Sequence, residues 1–208
     1  MWGSVSWRFM SPRKSVAESR LTRRRIVDRS LELASTEGLE GLTIGRLAGD
    51  LGMSKAGVLG HFGTKESLQL AVVDEAAEVF AREVPERVPQ VPAGLARLRA
   101  MCEAWVAYLE RHVLPGGCFF TAAATEFDDR GGPVRDAIAG MSAVWQRDLR
   151  IQARLAVHGG ELPADTDVGQ LVYDLVGVML ALNHFLQLQG DRAAPERARR
   201  SLCRLLGA

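Results

Sequence analysis

Apolar residues recur at helical spacing along almost the whole chain, and no stretch alternates as a strand does. The first periodic segment predicts a helix over 22–37. Ile26, Ser30, Leu33 and Ala34 line one face of it, Val27 and Leu31 flank that face, and Gly38 ends it. Two short helices follow over 43–51 and 54–62. A longer one over 64–84 buries Leu68, Val72, Ala76 and Val79 or Phe80. Pro85, Pro89 and Pro92 forbid continuous helix and make this segment the clearest connector in the chain. Beyond it the pattern predicts helices over 93–113, 118–129, 133–158, 166–189 and 195–206, separated by Gly and Pro breaks. The expected fold class is all-α, with about nine helices divided between an N-terminal three-helix unit and a C-terminal bundle.

The run from Leu42 to Lys65, LTIGRLAGDLGMSKAGVLGHFGTK, carries the densest local signals. Thr43 fits an N-cap, with Leu42 and Leu47 as a hydrophobic staple around it. Ile44, Leu47, Ala48 and Leu51 form one apolar stripe, and Gly52 suits a left-handed turn. Ser54 caps the next helix, whose Val58 and Phe62 face inward. Gly63 ends that helix and Thr64 caps the one after. This is a helix-turn-helix pattern, in which three helix N-termini offer unpaired N–H groups to phosphate oxygens. Lys55 and Lys65 each stand in a first helical turn, where a cation opposes the helix dipole unless an anion compensates. DNA phosphate is the simplest such anion; two solvated surface lysines are the plainer alternative.

Charge sharpens this picture. The net formal charge of the 208-residue chain is only +1, but residues 1–65 carry 11 Lys and Arg against 6 Asp and Glu, and the remainder is slightly acidic. A basic N-terminal unit fused to an acidic body suits nucleic-acid binding at one end and another task at the other. Arg13, Lys14, Arg20, Arg23, Arg24 and Arg25 would extend the basic surface along a flexible arm over 1–18 and into the first helix. The opening residues do not read as a signal peptide, because Arg8 interrupts scattered apolar positions, and Met10 is an alternative start to Met1. Composition is ordinary for a globular domain, at 47% hydrophobic and 25% charged. No continuous apolar run approaches the roughly 18 residues of a membrane span, so no membrane partner is expected. Cys102, Cys118 and Cys203, odd in number and far apart, point to free thiols and a cytoplasmic setting.

From Thr22 to about Val73 the sequence resembles the tetracycline-repressor (TetR) family of bacterial transcription regulators. The resemblance rests on IVDRSLELASTEGLEGLT, on Leu47-Ala48, on Gly52-Met53-Ser54-Lys55 and on HFGTKESL. It implies a helix-turn-helix domain over 19–66 and a ligand-binding and dimerisation domain over 67–208. It also implies a homodimer on a palindromic double-stranded DNA operator, released by a small-molecule effector. The resemblance puts phosphate contacts at Thr43, Ser54, His61 and Lys65, and base contacts at Gly45, Lys55, Ala56, Gly57 and Gly60. The family usually carries Tyr where this chain has Leu59, and often larger residues at Gly57 and Gly60. Two readings follow. Either the bare helix lets its backbone approach the bases, leaving Lys55 and DNA shape to give specificity, or the chain binds small molecules with weakened DNA recognition.

The C-terminal half gives softer signals. The helix over 166–189 is apolar on nearly every side, more than one subunit can cover. With the last helix it suggests a two-fold interface through Leu171, Leu175, Val178, Leu182, Phe185, Leu202 and Leu205. Trp105, Tyr108, Phe119, Phe120, Phe127, Met141 and Trp145 are candidates for an apolar effector cavity, with Glu126, Asn183 and His184 as its polar groups. Ordinary core packing is the competing role for each aromatic. Cys118 opens a helix whose terminus would lower its thiol pKa, whereas burial would make it inert. No catalytic or cofactor motif is present: there is no phosphate-binding glycine loop, nucleophile elbow or HExxH spacing. Glu126, Asp128 and Asp129 read more simply as a solvated helix end than as a metal site.

Overall fold

A computed structural model describes residues 16–88 and 90–207. The described residues form nine α-helices and no strand: α1 Val16–Glu37, α2 Ile44–Leu51, α3 Lys55–Phe62, α4 Lys65–Glu83, α5 Leu95–Glu110, α6 Phe119–Phe127, α7 Pro133–His158, α8 Val168–Gln187 and α9 Ala194–Leu206. The connector after α4 folds as a single 3-10 turn, Pro85–Arg87. Helix α1 begins earlier than its apolar pattern requires. Residues 16–18 of the expected arm are therefore helical, and Thr22 donates its hydroxyl to the Glu18 carbonyl at 2.8 Å. Arg13 and Lys14 lie outside the described residues.

Local signals in the sequence translate directly into local geometry. Thr43, Ser54 and Thr64 adopt extended backbone conformations and accept hydrogen bonds from the amides of Arg46, Gly57 and Ser67, so each caps the helix that follows. Gly52 ends α2 at φ 62°, a conformation that favours glycine. Ile26, Leu47, Val58 and Leu68 are completely buried and close one small core under α1 to α4. Helix α4 then continues out of that core. It packs on α1 and α3 at one end and on α7 further along, where its Phe80 joins the bundle.

The bundle is built on α5, α7 and α8, with α9 laid across α5 and α8. Leu98, Leu109, Leu149, Leu175, Met179 and Leu206 are its largest fully buried side chains. The expected interface residues divide. Leu171, Leu175, Leu182 and Leu202 belong to the subunit's own core, and only Val178, Phe185 and Leu205 are partly or fully outward. Helical geometry is the reason: Leu171, Leu175 and Leu182 share one face of α8, and that face is buried within the bundle. The outward stripe runs instead through Tyr173, Gly177, Leu180, Ala181, His184, Phe185 and Leu188, with Tyr173 and Leu188 both 74% exposed. By length and composition α8 is also apolar enough to cross a membrane, which the absence of one unbroken run conceals. Asp174 and Asn183 interrupt the run without lowering the average much.

The two halves meet tightly at the loop before α6. A Cβ on Gly116 would overlap the Ser35 carbonyl at the end of α1, and the Gly116 amide donates to the Ser35 hydroxyl at 3.3 Å. Gly116→Ala should therefore destabilise the fold by about 2–3 kcal/mol, because backbone rather than a flexible side chain must yield. Gly131→Ala, where nothing lies within 4 Å of the added methyl, should stay within about 0.5 kcal/mol of the parent. Chemical denaturation of the two variants measures the contrast.

Candidate functional site

Helices α2 and α3 present one exposed surface. Lys55, Ala56, Leu59 and Gly60 are exposed on α3, and Val58 and Phe62 anchor its other side in the core. The Phe62 ring is covered by the Arg23 guanidinium, 4.7 Å from its centroid, so α1 pins the end of α3. Lys55 folds back across α2. Its Cε would lie 3.1 Å from a Cβ on Gly45, so the glycine clears a path for the lysine stem. A Cβ on Gly57 would meet the Ser54 hydroxyl at 3.2 Å, whereas one on Gly60 would meet nothing within 4 Å. The glycines therefore differ: Gly45 and Gly57 are fitted to neighbours, and Gly60 faces open space.

Charge on this surface is largely spoken for within the protein. Arg46 pairs with Glu37 and Asp50, each at 3.1 Å. Arg29 pairs with Asp50 at 2.7 Å and Glu32 at 2.8 Å. Its side-chain hydrogen bond is the largest influence holding the Asp50 carboxyl below the ordinary carboxylate range. Lys65, expected to await phosphate, already has a partner. Its Nζ donates to the Glu40 carbonyl at 2.6 Å and lies 3.2 Å from the Glu40 carboxylate. The anion that offsets its unfavourable place in the first turn of α4 is thus an acidic side chain. The Gln69 amide, Lys65 and Arg130 together hold the Glu40 carboxyl below its usual pKa. Lys55 has no such ion pair among the described residues.

A cavity of about 210 Å³ lies in the bundle below α4. Trp105, Phe120, Met141 and Trp145, four of the expected candidates, are in its wall. Sequence reasoning missed Phe80 from α4, Cys118, Thr121 and Ala124 from the start and middle of α6, Ser142 and Gln146 from α7, and Val176 and Leu180 from α8. Phe80 was legible only as a core residue, yet it is the hub of the site. Its ring meets Trp145, Tyr108, Trp105 and Phe120 edge-on at centroid distances of 5.1, 5.8, 5.9 and 6.3 Å.

The other expected cavity residues have different places. Tyr108 packs behind Phe80, and Phe119 and Phe127 fill the core. His184 is exposed on α8. Asn183 is buried, but its Oδ1 accepts from the Cys118 amide at 2.9 Å and anchors the start of α6. Glu126 is drawn away altogether. Its two carboxylate oxygens accept from the backbone amides of Leu39 and Glu40, each at 2.8 Å, in the loop between α1 and α2. An acidic side chain near the end of a helix gives no sequence signal of such a reach. Burial decides the two inner thiols, pushing Cys102 up to about 12 and also raising Cys118, so the start of α6 does not activate Cys118. Cys203 is exposed. Among the described residues no group of acidic, His and Cys side chains could hold a metal ion.

A model of tetracycline-repressor-like C-terminal domains matches residues 94–202, more than half of the chain, and a model of bacterial regulatory proteins of the tetR family matches residues 26–72. The chain belongs to the TetR family. Solved TetR structures share its fold at low identity. A TetR transcriptional regulator from Chloroflexus aurantiacus J-10-FL superposes with a TM-score of 0.84 at 23% identity, covering 92% of this chain and 96% of that one. AibR, solved with isovaleryl coenzyme A and operator DNA, gives 0.70 at 20% identity over 86% and 95%. A cysteine mutant of CifR bound to operator DNA gives 0.73 at 23% identity over 95% and 98%. No match was found among curated proteins.

Glu126 generates a direct test. Glu126→Ala leaves the Leu39 and Glu40 amides without their acceptor, which should cost about 1–3 kcal/mol of stability. Hydrogen exchange at these two amides should quicken in the variant, while exchange in the centre of α7 keeps the order it has in the parent.

Proposed function

We propose that this TetR-family regulator is a dimeric repressor that holds a palindromic operator through α3 and releases it when a small molecule fills the cavity beside Phe80. The carrying observation is the capped pair α2–α3, which fixes an exposed helix face carrying Lys55, a cation with no ion pair among the described residues. Thr43, Ser54 and His61 would lie along the phosphates, and the backbone at Gly57 and Gly60 would approach the base edges. Lys65 would contribute field rather than a dedicated phosphate contact, since Glu40 holds it. We read the protein as a regulator and not an enzyme, acting in the cytoplasm where its operator is. The division into a basic arm, a helix-turn-helix unit to about residue 66 and an effector and dimer unit beyond it suits this reading.

Coupling follows from two helices that touch both sites. Helix α4 carries Lys65 at one end and Phe80 at the cavity. Helix α6 carries Phe120, Thr121 and Ala124 in the wall, and then Glu126 on the α1–α2 loop. An occupant that displaces either helix changes how the helix-turn-helix is held. Operator and effector then weaken each other by one common factor. The dimer would form across the outward stripe of α8 and the adjoining side of α9, burying Tyr173, Leu180, Phe185 and Leu188. This partner, rather than lipid, would account for the apolarity of α8. The bare surface of α3 supports the alternative, a small-molecule binder with weakened DNA recognition.

Selection of bound genomic fragments, followed by footprinting at graded salt, distinguishes the two readings. Lys55→Ala should lower operator affinity about ten-fold and reduce the salt slope by roughly one. An unchanged affinity, or no preference for any palindrome over random DNA, removes the repressor reading. In sedimentation experiments Leu180→Asp should convert the dimer to monomer at micromolar concentration, because it places a charge in the middle of the apolar stripe. A dimer of unaltered strength would move the interface elsewhere.

A further inference from the structure

The cavity wall contains no Asp, Glu, Lys, Arg or His. Its aromatic side consists of Phe80, Trp105, Phe120 and Trp145, packed edge to face, so it offers ring faces and edges at fixed angles. Its polar side is small. Besides Thr121 on α6, Ser142 and Gln146 stand one turn apart on α7, and neither of these two side chains has a hydrogen-bond partner within the protein among the described residues. The indole N–H of Trp145 is buried and likewise lacks an acceptor. That of Trp105 lies beside the sulfur of Cys118, a weak acceptor. Ser142, Gln146 and Thr121 can each donate and accept at this wall, the buried indole N–H groups do not open onto it, and there is no counter-charge.

These properties select against ions. Bringing a carboxylate, phosphate or ammonium group into such a wall strips its water and returns no opposite charge. A neutral molecule keeps the gain from apolar burial, and one acceptor oxygen on it can use the amide of Gln146 and the hydroxyl of Ser142. Size narrows the class further. An apolar cavity of about 150 Å³ is enough to hold benzene, so about 210 Å³ suits one ring with a short substituent or two small fused rings. We infer that the effector is an uncharged aromatic or alicyclic compound of this size bearing a carbonyl or ether-type oxygen. The inference rests on the proposal that this cavity is the effector site.

Four probes of one shape test it: acetophenone, cumene, benzoate and benzamidinium. They present a neutral acceptor, no acceptor, an anion and a cation on the same phenyl frame. Binding to the full-length protein is followed by ligand-observed NMR and by the shift in melting temperature. Acetophenone should bind at least about ten-fold more tightly than either ion. It should also bind several-fold more tightly than cumene, and that second preference should vanish in Gln146→Ala with Ser142→Ala. Equal or tighter binding of benzoate or benzamidinium overturns the chemical class, as does an acetophenone preference that survives the double variant.

Ala124→Phe and, separately, Thr121→Leu test the site itself, since both change the wall from α6. If they weaken whichever probe binds, the cavity is the binding site, even where the order of probes refutes the class. If both fold with parental melting behaviour and leave acetophenone binding unchanged, the cavity reading falls. Failure of all four probes to bind counts against the class and size together.

Discussion

The Glu126 carboxylate accepts the amide hydrogens of Leu39 and Glu40, and the seat of the helix-turn-helix on the bundle depends on that pair of bonds. The loop between α1 and α2 has no ladder or helix to satisfy its backbone. The groups that do so come from α6 and α4: Glu126 takes two amides, Lys65 bonds the Glu40 carbonyl, and Gln69 bonds the Leu39 carbonyl at 3.0 Å. Three side chains, through four hydrogen bonds, thereby hold a loop whose direction decides where α2 and α3 point. Beside them, Gly116 is pressed against Ser35, so the loop leading into α6 and the end of α1 cannot move independently.

In the proposed reading, this arrangement is what joins the cavity to the exposed face of α3. Bundle cores are close-packed, and a shift at one wall is passed on rather than absorbed. Phe80 is central because it brings α4 into edge-to-face contact with rings from α5, α6 and α7. A ligand beside that ring would press on the two helices, α4 and α6, whose side chains hold the α1–α2 loop. No long chain of intermediates is needed, since α6 is only nine residues long and touches both places.

What was legible in the sequence was what is local. Caps at Thr43, Ser54 and Thr64, the left-handed Gly52 and the buried stripes of α1 and α4 are each fixed within a few residues, so spacing and residue type suffice. The candidate site was legible in part. Trp105, Phe120, Met141 and Trp145 were found because large aromatics and Met on neighbouring helices must converge somewhere. Lost were the features set by pairings far apart in the chain: Glu126 with Leu39, Asn183 with Cys118, and Lys65 with Glu40. The outward side of α8 was missed for a related reason. An all-round apolar helix has no amphipathic signal, and which flank its own subunit covers is decided by α5, α7 and α9.

Gly60 has a consequence of a different kind. Most positions on a folded helix are constrained by neighbours, as Gly45 is by Lys55 and Gly57 by Ser54, but a side chain at Gly60 would project into open space. Replacing a helical glycine also removes a backbone-entropy cost of about 1 kcal/mol. Variation at this position is therefore structurally free, and even mildly favourable for folding. A lineage carrying this scaffold can try new residues on the outer face of α3 one at a time, without first acquiring compensating stability. The blank position makes the outer face of α3 easy to rewrite, while the capped and clamped framework beneath it stays unchanged.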